Sequence, residues 1–394
     1  MTATDVVLLA GSRTPQGRVN GQLASLTAVN LGAAAITGAL ARAGIAPEQV
    51  DFVLMGQVLQ AGCGQNPARQ SSVAAGIPWN VPAMTLNKVC LSGLAAIIDA
   101  ARLVRLGEAE VVVAGGQESM SQAPHLLPGS RQGWAYGTVA ALDHAAHDGL
   151  TDAFDGLSMG LSTERANVEL GQSRLEQDEI AAASHQRAAA AAASDLFSDE
   201  ITPISVPQRK GEPRVISTDE GVRAESTTET LGRLRPAFDA DGSITAGNAA
   251  PLSDGASAVI VTSRAWAEKH NLPWLAVIEA SGQVAGPDNS LHSQPANAIS
   301  HALTRQGWTV SDLDLMEINE AFASVVAQSS KVLGVSTDMV NVHGGGIAIG
   351  HPIGSSGGRI ALHAALELAR RGTGKAAVAL CGGGGQGEAL LLSR

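Results

Sequence analysis

The amino-acid sequence predicts an α/β protein in which two duplicated halves pack together and a more polar region is inserted between them. Three observations support this fold class. A helix-and-strand pattern near the N-terminus recurs near the C-terminus, short apolar strands alternate with helices in both copies, and the middle of the chain is richer in polar residues. With 394 residues, 45% of them hydrophobic, the chain can bury large cores in roughly two or three domains.

The repeat is carried by two pairs of matching segments. The segment that begins at Ala35 matches the one from Ala298, and the segment from Ser92 matches the one from Ser356, at nearly the same offset. Each copy has a helix with apolar residues at helical spacing, a glycine that ends it and a short apolar strand. Such strands indicate parallel or mixed sheets covered by helices on both faces. The alternative is a chance likeness between Ala-rich helices.

The remaining elements follow in chain order. Residues 6–10 are expected to form a first strand, and residues 111–114 and 376–380 the strands after the repeated helices. Ser173 followed by Glu176 is typical of a helix N-terminus, so a helix is expected from there.

Four segments make up the predicted domain organisation. Residues 1–120 form an N-terminal half that residues from about 251 to 273 complete, residues 121–250 form an inserted loop domain, and residues 274–394 form a C-terminal half. The inserted region contains a basic group that indicates either a local site for an anionic ligand or an ordinary solvated surface: Arg209, Lys210, Arg214 and Arg223.

Composition excludes several classes of protein. A formal net charge of -11 disfavours binding to nucleic acid or to anionic membranes. The first apolar run, residues 6–10, is too short for a signal peptide or a membrane span. The three cysteines contain no CxxC pair, which makes a disulfide framework or a cysteine-rich zinc site improbable and favours a reducing cytoplasm.

Three formal motif matches are interpreted as accidents. GGGGQG at residues 382–387 satisfies GxGxxG, but too few residues follow for the helix and acidic residue of a dinucleotide site. GSSGG at residues 354–358 satisfies GxSxG, but no acid precedes the downstream histidine as a hydrolase requires. DADG at residues 239–242 lacks the ligand spacing of a calcium loop, so no metal is implied.

Cys90 is the candidate nucleophile, because it lies just before the helix of the first repeat. The helix N-terminus is expected to lower the pKa of the thiol, although a lone cysteine is more often a buried small hydrophobic residue. Asn319 follows the expected strand 313–318, and Cys381 and His351 are also expected at the carboxyl ends of strands or in the turns beyond. Sites of α/β sheets assemble there.

Six motifs, taken in order, carry a family resemblance. They are NKVCLSG, GGQESMSQAPH, TAGNAAPLSDGA, INEAFAS, GGGIAIGHPIGSSGGR and ALCGGGGQG. In their order and spacing the chain resembles the thiolases over essentially its whole length. The resemblance implies a five-layered αβαβα core of two duplicated halves, with an inserted loop domain that holds coenzyme A.

The resemblance also implies residue roles. Cys90 would carry the acyl group as a thioester, His351 would help to generate its thiolate, and Cys381 would act as acid and base. His351 and Asn319, the latter through a water, would form one oxyanion hole, and the backbone N–H groups of Cys90 and Gly383 a second. Coenzyme A would contact Arg223 near its nucleotide end, and Leu150, Ser158, Met159, Thr230, Leu234, Ala246, Ala250, Ala321 and Phe322.

The implied activity is that of an acetyl-CoA C-acetyltransferase, which reversibly condenses two acetyl-CoA into acetoacetyl-CoA and CoA through acetyl-Cys90. It would need no cofactor or metal, and the resemblance implies a cytoplasmic homo-oligomer, a homotetramer. Two alternatives stay open: a degradative thiolase for longer 3-ketoacyl-CoA chains, and an inactive acyl-CoA-binding protein. A decarboxylating ketoacyl synthase would need a second histidine where Cys381 stands.

Three positions depart from the family pattern. Ala250 stands where many thiolases have serine and Ser158 where biosynthetic members often have histidine, so affinity and acyl-chain preference stay open. His343 stands where asparagine is usual, and it is expected either to lie near His351 or to have a structural role.

Overall fold

The computed structural model describes residues 5–394, and its central feature is one mixed β-sheet. In that part of the chain the strands are β1 (Val6–Arg13), β2 (Gly17–Arg18), β3 (Phe52–Gly56), β4 (Ala83–Leu86), β5 (Val111–Ser119), β6 (His125–Leu126), β7 (Leu142–Asp143), β8 (Ile204–Val206), β9 (Arg214–Ile216), β10 (Ser253–Ser263), β11 (Ala276–Ala285), β12 (Leu315–Ile318), β13 (Lys375–Gly382) and β14 (Gln386–Ser393).

The helices lie between the strands and cover the sheet. They are α1 (Ala28–Ala43), α2 (Pro67–Ala74), α3 (Ser92–Leu106), α4 (Met159–Leu170), α5 (Arg174–Ala193), α6 (Thr228–Gly232), α7 (Arg264–Lys269), α8 (Gln294–Gln306), α9 (Ala323–Leu333), α10 (Gly346–Ile349) and α11 (Ser356–Arg371). Single 3-10 turns occur at Pro47–Gln49, Ser130–Gln132, Leu196–Asp199, Val310–Asp312 and Thr337–Met339, and a π-helical turn at Ala145–Gly149.

Strand order confirms the duplication. The N-terminal half has the order β3-β5-β10-β1, and the C-terminal half has the order β12-β13-β14-β11. In each half the first pair is parallel and the next two are antiparallel. These four strands and their pairing therefore correspond one to one, and the sheets are mixed as the apolar strands predicted. Among the described strands, β4 extends the N-terminal half-sheet beyond β3 and has no counterpart in the other half.

The two halves also share a sheet, which the sequence analysis did not predict. Residues 6–8 of β1 pair antiparallel with residues 276–278 of β11, so that both half-sheets join into one ten-stranded sheet. Without this pairing, β1 and β11 would each leave a row of backbone N–H and C=O groups unpaired at an edge. The join fixes the position of one half relative to the other.

Three apolar clusters confirm the five layers. Apolar residues of α3 and α11 pack together between the half-sheets, in a cluster that contains buried residues from strands of both halves. The outer face of the N-terminal half-sheet packs against α1, and the outer face of the C-terminal half-sheet packs against α8 and α9. The central pair of helices brings the N-termini of α3 and α11 close to each other, where α3 begins after Cys90.

The expected strands are present and are mostly longer than predicted. Residues 111–114 begin β5, which continues through Ser119 because its polar end still pairs with β10. The strand expected at 313–318 begins at Leu315, since a 3-10 turn occupies Val310–Asp312. The helix predicted from Ser173 is confirmed as α5. The Ser173 hydroxyl caps it by accepting the backbone N–H of Glu176.

The inserted region forms small units outside the main sheet. It contains the hairpins β6–β7 and β8–β9 and helices α4 to α6. Residues 383–385 form the turn between antiparallel β13 and β14, so a strand follows the glycine run where a dinucleotide motif would have a helix. Within residues 5–394, none of the helices has both the length and the hydropathy that crossing a bilayer requires.

Candidate active site

Cys90 lies in a tight turn between β4 and α3. Val89 has a φ of 51°, a left-handed conformation that is costly for a β-branched residue, by about 1–3 kcal/mol. The Ser92 hydroxyl stabilises the turn, because it donates to the Val89 carbonyl at 2.6 Å and accepts the Lys88 backbone N–H at 2.8 Å. The Leu91 N–H donates to the Lys88 carbonyl. The turn therefore holds Cys90 partly exposed at the start of α3.

Cys381 lies next to the end of β13, and the residues after it contact the turn of Cys90. Cys381 is buried, and Gly383 is the first residue beyond the strand. A Cβ at Gly382 would lie 2.7 Å from the Leu91 side chain, and one at Gly383 would lie 3.5 Å from Val89. The segment that follows Cys381 and the turn that carries Cys90 are therefore packed against each other.

His351 lies in a loop that packs on the N-terminus of α3. A Cβ at Gly93 would lie 3.0 Å from the Gly354 carbonyl oxygen, so only glycine permits this approach. Ile353 and Cys90 belong to one apolar cluster. The expectation that His351 follows a strand is wrong, because the loop lies between helices α10 and α11.

Asn319 and Ser356 both contact the His351 ring. Asn319 follows β12 as predicted, and its Nδ2 lies 3.4 Å from each ring nitrogen. His351 Nδ1 lies 2.6 Å from the Ser356 Oγ, which itself donates to the Pro352 carbonyl at 3.1 Å. We assign the ring hydrogen to Nδ1, which then donates to the Ser356 hydroxyl while that hydroxyl donates to the Pro352 carbonyl. His351 Nε2 is therefore left as a proton acceptor.

Burial controls the pKa values of the site. It raises the pKa of the Cys90 thiol to about 12, a backbone N–H opposes the increase, and the Glu118 carboxylate adds to it. The predicted lowering by the helix N-terminus is thus wrong, because desolvation outweighs the local dipole. Burial first and Cys90 second raise the pKa of Cys381. Burial first and Arg359 second lower the pKa of His351 to about 4, which keeps the imidazole neutral near pH 7.

Comparisons with known proteins agree with this arrangement. The family model described as thiolase, N-terminal domain, matches residues 6–265, and the one described as thiolase, C-terminal domain, matches residues 272–394. The chain belongs to the thiolase family. The boundaries of the loop domain within this thiolase stay a prediction.

Similar proteins match this thiolase over nearly its whole length. A probable acetyl-CoA acetyltransferase of Mycolicibacterium smegmatis is 58% identical across 98% of this chain and 100% of its own. An acetyl-CoA acetyltransferase of Cupriavidus necator is 48% identical across 99% of this chain and 100% of its own. The crystal structure of the Bacillus anthracis acetyl-CoA acetyltransferase superposes with a TM-score of 0.95 at 38% identity, covering 99% of this chain and 98% of that one.

The predicted coenzyme A contacts divide into two groups by position. Met159, Ala321 and Phe322 pack in one apolar cluster with Cys381, and Leu150 packs in the cluster of Cys90. These side chains therefore line the surroundings of the two sulfurs. The others lie at the surface of the thiolase or only half-buried: Arg223, Ser158, Thr230, Leu234, Ala246 and Ala250. Of these, Ala250 is tied to the first group because its N–H donates to the Ala321 carbonyl at 3.0 Å.

The unusual His343 is not part of the site. Its Nδ1 lies 3.1 Å from Nε2 of His363 and 3.9 Å from Glu367, and no hydrogen bond joins it to His351 among the described residues. These contacts support the structural role, which stays a prediction. The Ser158 hydroxyl caps α4 by accepting the N–H of Leu161, so it is engaged within the chain.

The sequence analysis missed Ser356 and Glu118 as residues of this region. Glu118 is fully buried and accepts backbone N–H groups from Val58, Leu59 and Gly354 at 3.0–3.1 Å. Its carboxylate thereby holds the His351 loop against the N-terminal half, while burial raises its pKa to about 7. The available signal was a carboxylate shortly after the apolar run at residues 111–114, in the part of β5 that the sequence analysis did not predict. Ser356 was signalled only by the motif that the hydrolase argument dismissed.

Within residues 5–394, no cluster of three or more His, Cys, Asp or Glu side chains is arranged to hold a metal ion. The basic residues of the inserted region are exposed, and whether they meet an anionic ligand stays open: Arg209, Lys210, Arg214 and Arg223.

Proposed function

We propose that this thiolase is an acetyl-CoA C-acetyltransferase that reversibly converts two acetyl-CoA into acetoacetyl-CoA and CoA. One observation carries the proposal. The segment that follows Cys381 packs against the turn of Cys90, and the loop beside them holds a neutral imidazole whose Nε2 is an acceptor that the Asn319 amide nitrogen approaches at 3.4 Å. The relatives named acetyl-CoA acetyltransferase, which match across the whole chain, support the same substrates.

In the first half-reaction, His351 Nε2 accepts the proton of the Cys90 thiol. The thiolate attacks the carbonyl carbon of acetyl-CoA, a new carbon–sulfur bond forms, and the bond to the CoA sulfur breaks. The leaving CoA thiolate takes the proton of the Cys381 thiol, which leaves Cys381 as a thiolate and keeps His351 as an imidazolium. A base is needed because burial keeps the thiol protonated near pH 7.

In the second half-reaction, Cys381 as a thiolate removes a proton from the α-carbon of a second acetyl-CoA. That carbon attacks the carbonyl of acetyl-Cys90, a carbon–carbon bond forms, and Cys90 leaves as a thiolate that takes its proton back from the His351 imidazolium. Asn319 and His351 would stabilise the enolate oxygen, and the N–H groups of Cys90 and Gly383 the tetrahedral oxyanion. Losing one such donor typically costs about a hundredfold to a thousandfold in rate.

The proposal includes no cofactor, because the thioester itself acidifies the α-carbon and supplies the leaving group. It also includes a cytoplasmic homotetramer. Exposed large apolar side chains in the segment around β6 and β7 support association with further copies, since such patches are uncommon on monomers: Leu127, Trp134, Tyr136 and Val139.

The test is incubation with acetyl-CoA, followed by intact mass and thiolysis assays. We expect an acetyl increment on Cys90 that Cys90→Ala abolishes, and faster thiolysis of acetoacetyl-CoA than of a long 3-ketoacyl-CoA. Preference for the long substrate would indicate the degradative thiolase instead. CoA binding without turnover, unchanged in Cys90→Ala, would indicate the inactive binding protein.

A further inference from the structure

An ion pair links the turn of Cys90 to the opposite half of the molecule. Lys88 lies two residues before Cys90, and its Nζ is 2.9 Å from Oε1 of Glu388 on β14. The Lys88 side chain is 28% exposed, whereas the Glu388 side chain is fully buried. The pair therefore connects an exposed loop of the N-terminal half to the interior of the C-terminal half.

Glu388 depends on its cationic partner. Gln283 also donates to its Oε1, but its Oε2 is buried without a hydrogen-bond partner among residues 5–394. Burial raises the pKa of Glu388, and the Lys88 charge opposes that increase. A buried carboxylate that loses its partner charge is strongly destabilised, so the pair constrains where Lys88 can lie.

The strand register places this anchor beside the second cysteine. Leu380 of β13 pairs with Glu388 of β14, and the next pair in the ladder is Cys381 with Gly387. The strand that Lys88 contacts is therefore hydrogen-bonded to the strand that carries Cys381. One ion pair connects the backbone segments of both sulfurs.

The conformation of Val89 explains why such an anchor is needed. Its left-handed backbone is unfavourable, and it separates Lys88 from Cys90. Strained conformations persist where surrounding contacts hold them on both sides. Ser92 holds the C-terminal side of this turn, and the Lys88 side chain is bound on the N-terminal side.

We propose that Lys88 and Glu388 are positioning residues that set the approach of Cys90 toward Cys381. The inference rests on the proposed function, because it concerns the step in which both sulfurs act on one pair of substrates. A small displacement of reacting groups lowers rates by about a hundredfold. Loss of the pair should therefore slow carbon–carbon bond formation and cleavage more than it weakens substrate binding.

The experiment compares Lys88→Met, Lys88→Arg and the double variant Lys88→Met with Glu388→Gln, in a Cys63→Ser background. The double variant removes the unpaired buried charge and so keeps the test valid if Lys88→Met folds poorly. Lys375→Met, which breaks a half-exposed pair with Asp312, is the matched control. The readouts are kcat and KM for acetoacetyl-CoA thiolysis and, without substrate, the rate at which arsenite bridges the two remaining thiols, followed by intact mass.

We expect the double variant to lose about tenfold to a hundredfold in kcat, with KM within about threefold, and to be bridged by arsenite about tenfold more slowly. Lys88→Arg should restore both rates, and Lys375→Met should leave them unchanged. A folded double variant with unchanged kcat and an unchanged rate of arsenite bridging would overturn the inference. The inference would also be overturned if arsenite failed to bridge Cys90 and Cys381 in the protein that carries only Cys63→Ser. Bridging that depends on Lys88 in a protein that never acetylates Cys90 would instead refute the proposed function alone.

Discussion

In the proposed mechanism, proton transfer from Cys90 depends on which nitrogen of His351 carries the hydrogen. Ser356 holds Nδ1–H, and the lowered pKa keeps the second nitrogen unprotonated. This arrangement activates the nucleophile through a base rather than through a stabilised thiolate. It suits a desolvated thiol, because charge develops only when the acyl carbon is in place.

Ser356→Ala removes the group that selects this tautomer. We expect the rate of Cys90 acetylation to fall about tenfold, because part of the imidazole population then carries its hydrogen on Nε2 and cannot accept the proton. Single-turnover mass spectrometry with acetyl-CoA measures the rate. Ser355→Ala is the control, since the neighbouring serine contacts Ser257 rather than the ring. Equal rates in both variants would contradict the assigned tautomer.

Glycines let the segments of the site approach one another. The His351 loop passes close to Gly116 of β5, where a Cβ would overlap the carbonyl oxygen of Gly354. The same carbonyl lies against Gly56 and Gly93. The close fit of loop, strand and helix therefore depends on the absence of side chains at these positions.

Gly116→Ala is expected to displace the His351 loop. Overpacking of this kind costs about 1–3 kcal/mol of stability, and kcat should fall with it because His351 moves relative to Cys90. Thermal unfolding and thiolysis kinetics measure the two effects. Gly232→Ala, where an added Cβ meets nothing within 4 Å, is the matched control. A Gly116→Ala protein with unchanged Tm and kcat would show that the His351 loop accommodates the added methyl group without moving.

The strand boundaries show which parts of a strand can be predicted from its own residues. The apolar starts of β5 and β13 were predicted from residues 111–114 and 376–380, because a run of apolar residues is visible in the sequence itself. The polar end of β5 was missed, since its residues are in a strand only through pairing with β10. Site residues such as Glu118 occur in that missed part.

For the whole molecule, the buried histidines make stability depend on pH. His292 is buried, its Nε2–H donates to Oδ1 of Asn167 at 2.7 Å, and burial lowers its pKa to about 4. The unfolded chain binds a proton at this position more readily than the folded chain does. The stability contributed by neutral His292 is therefore complete above about pH 6.5 and is lost as the pH falls toward about 4.

His292→Gln is expected to remove this dependence while keeping a donor for Asn167. Between pH 6.5 and 4, the free energy of unfolding of the unaltered protein should fall by about 3 kcal/mol more than that of the variant. Urea denaturation at several pH values measures the difference. His125→Gln, at an exposed position, is the control. Parallel curves for both proteins would refute the contribution of His292.

The linear pattern of residues was sufficient for the duplicated architecture, because repeats and apolar periodicity are encoded locally. The inserted domain and the roles of Cys90, Asn319, His351 and Cys381 stay predictions that rest on motifs. The pKa values, the Ser356 contact and the join of the half-sheets depended on packing between segments far apart in the chain. Desolvation of Cys90 illustrates the reason: a helix N-terminus acts within one turn, whereas burial sums over every segment that surrounds the sulfur. The pairing of Lys88 with Glu388 likewise forms only when strand β14 packs next to the turn of Cys90.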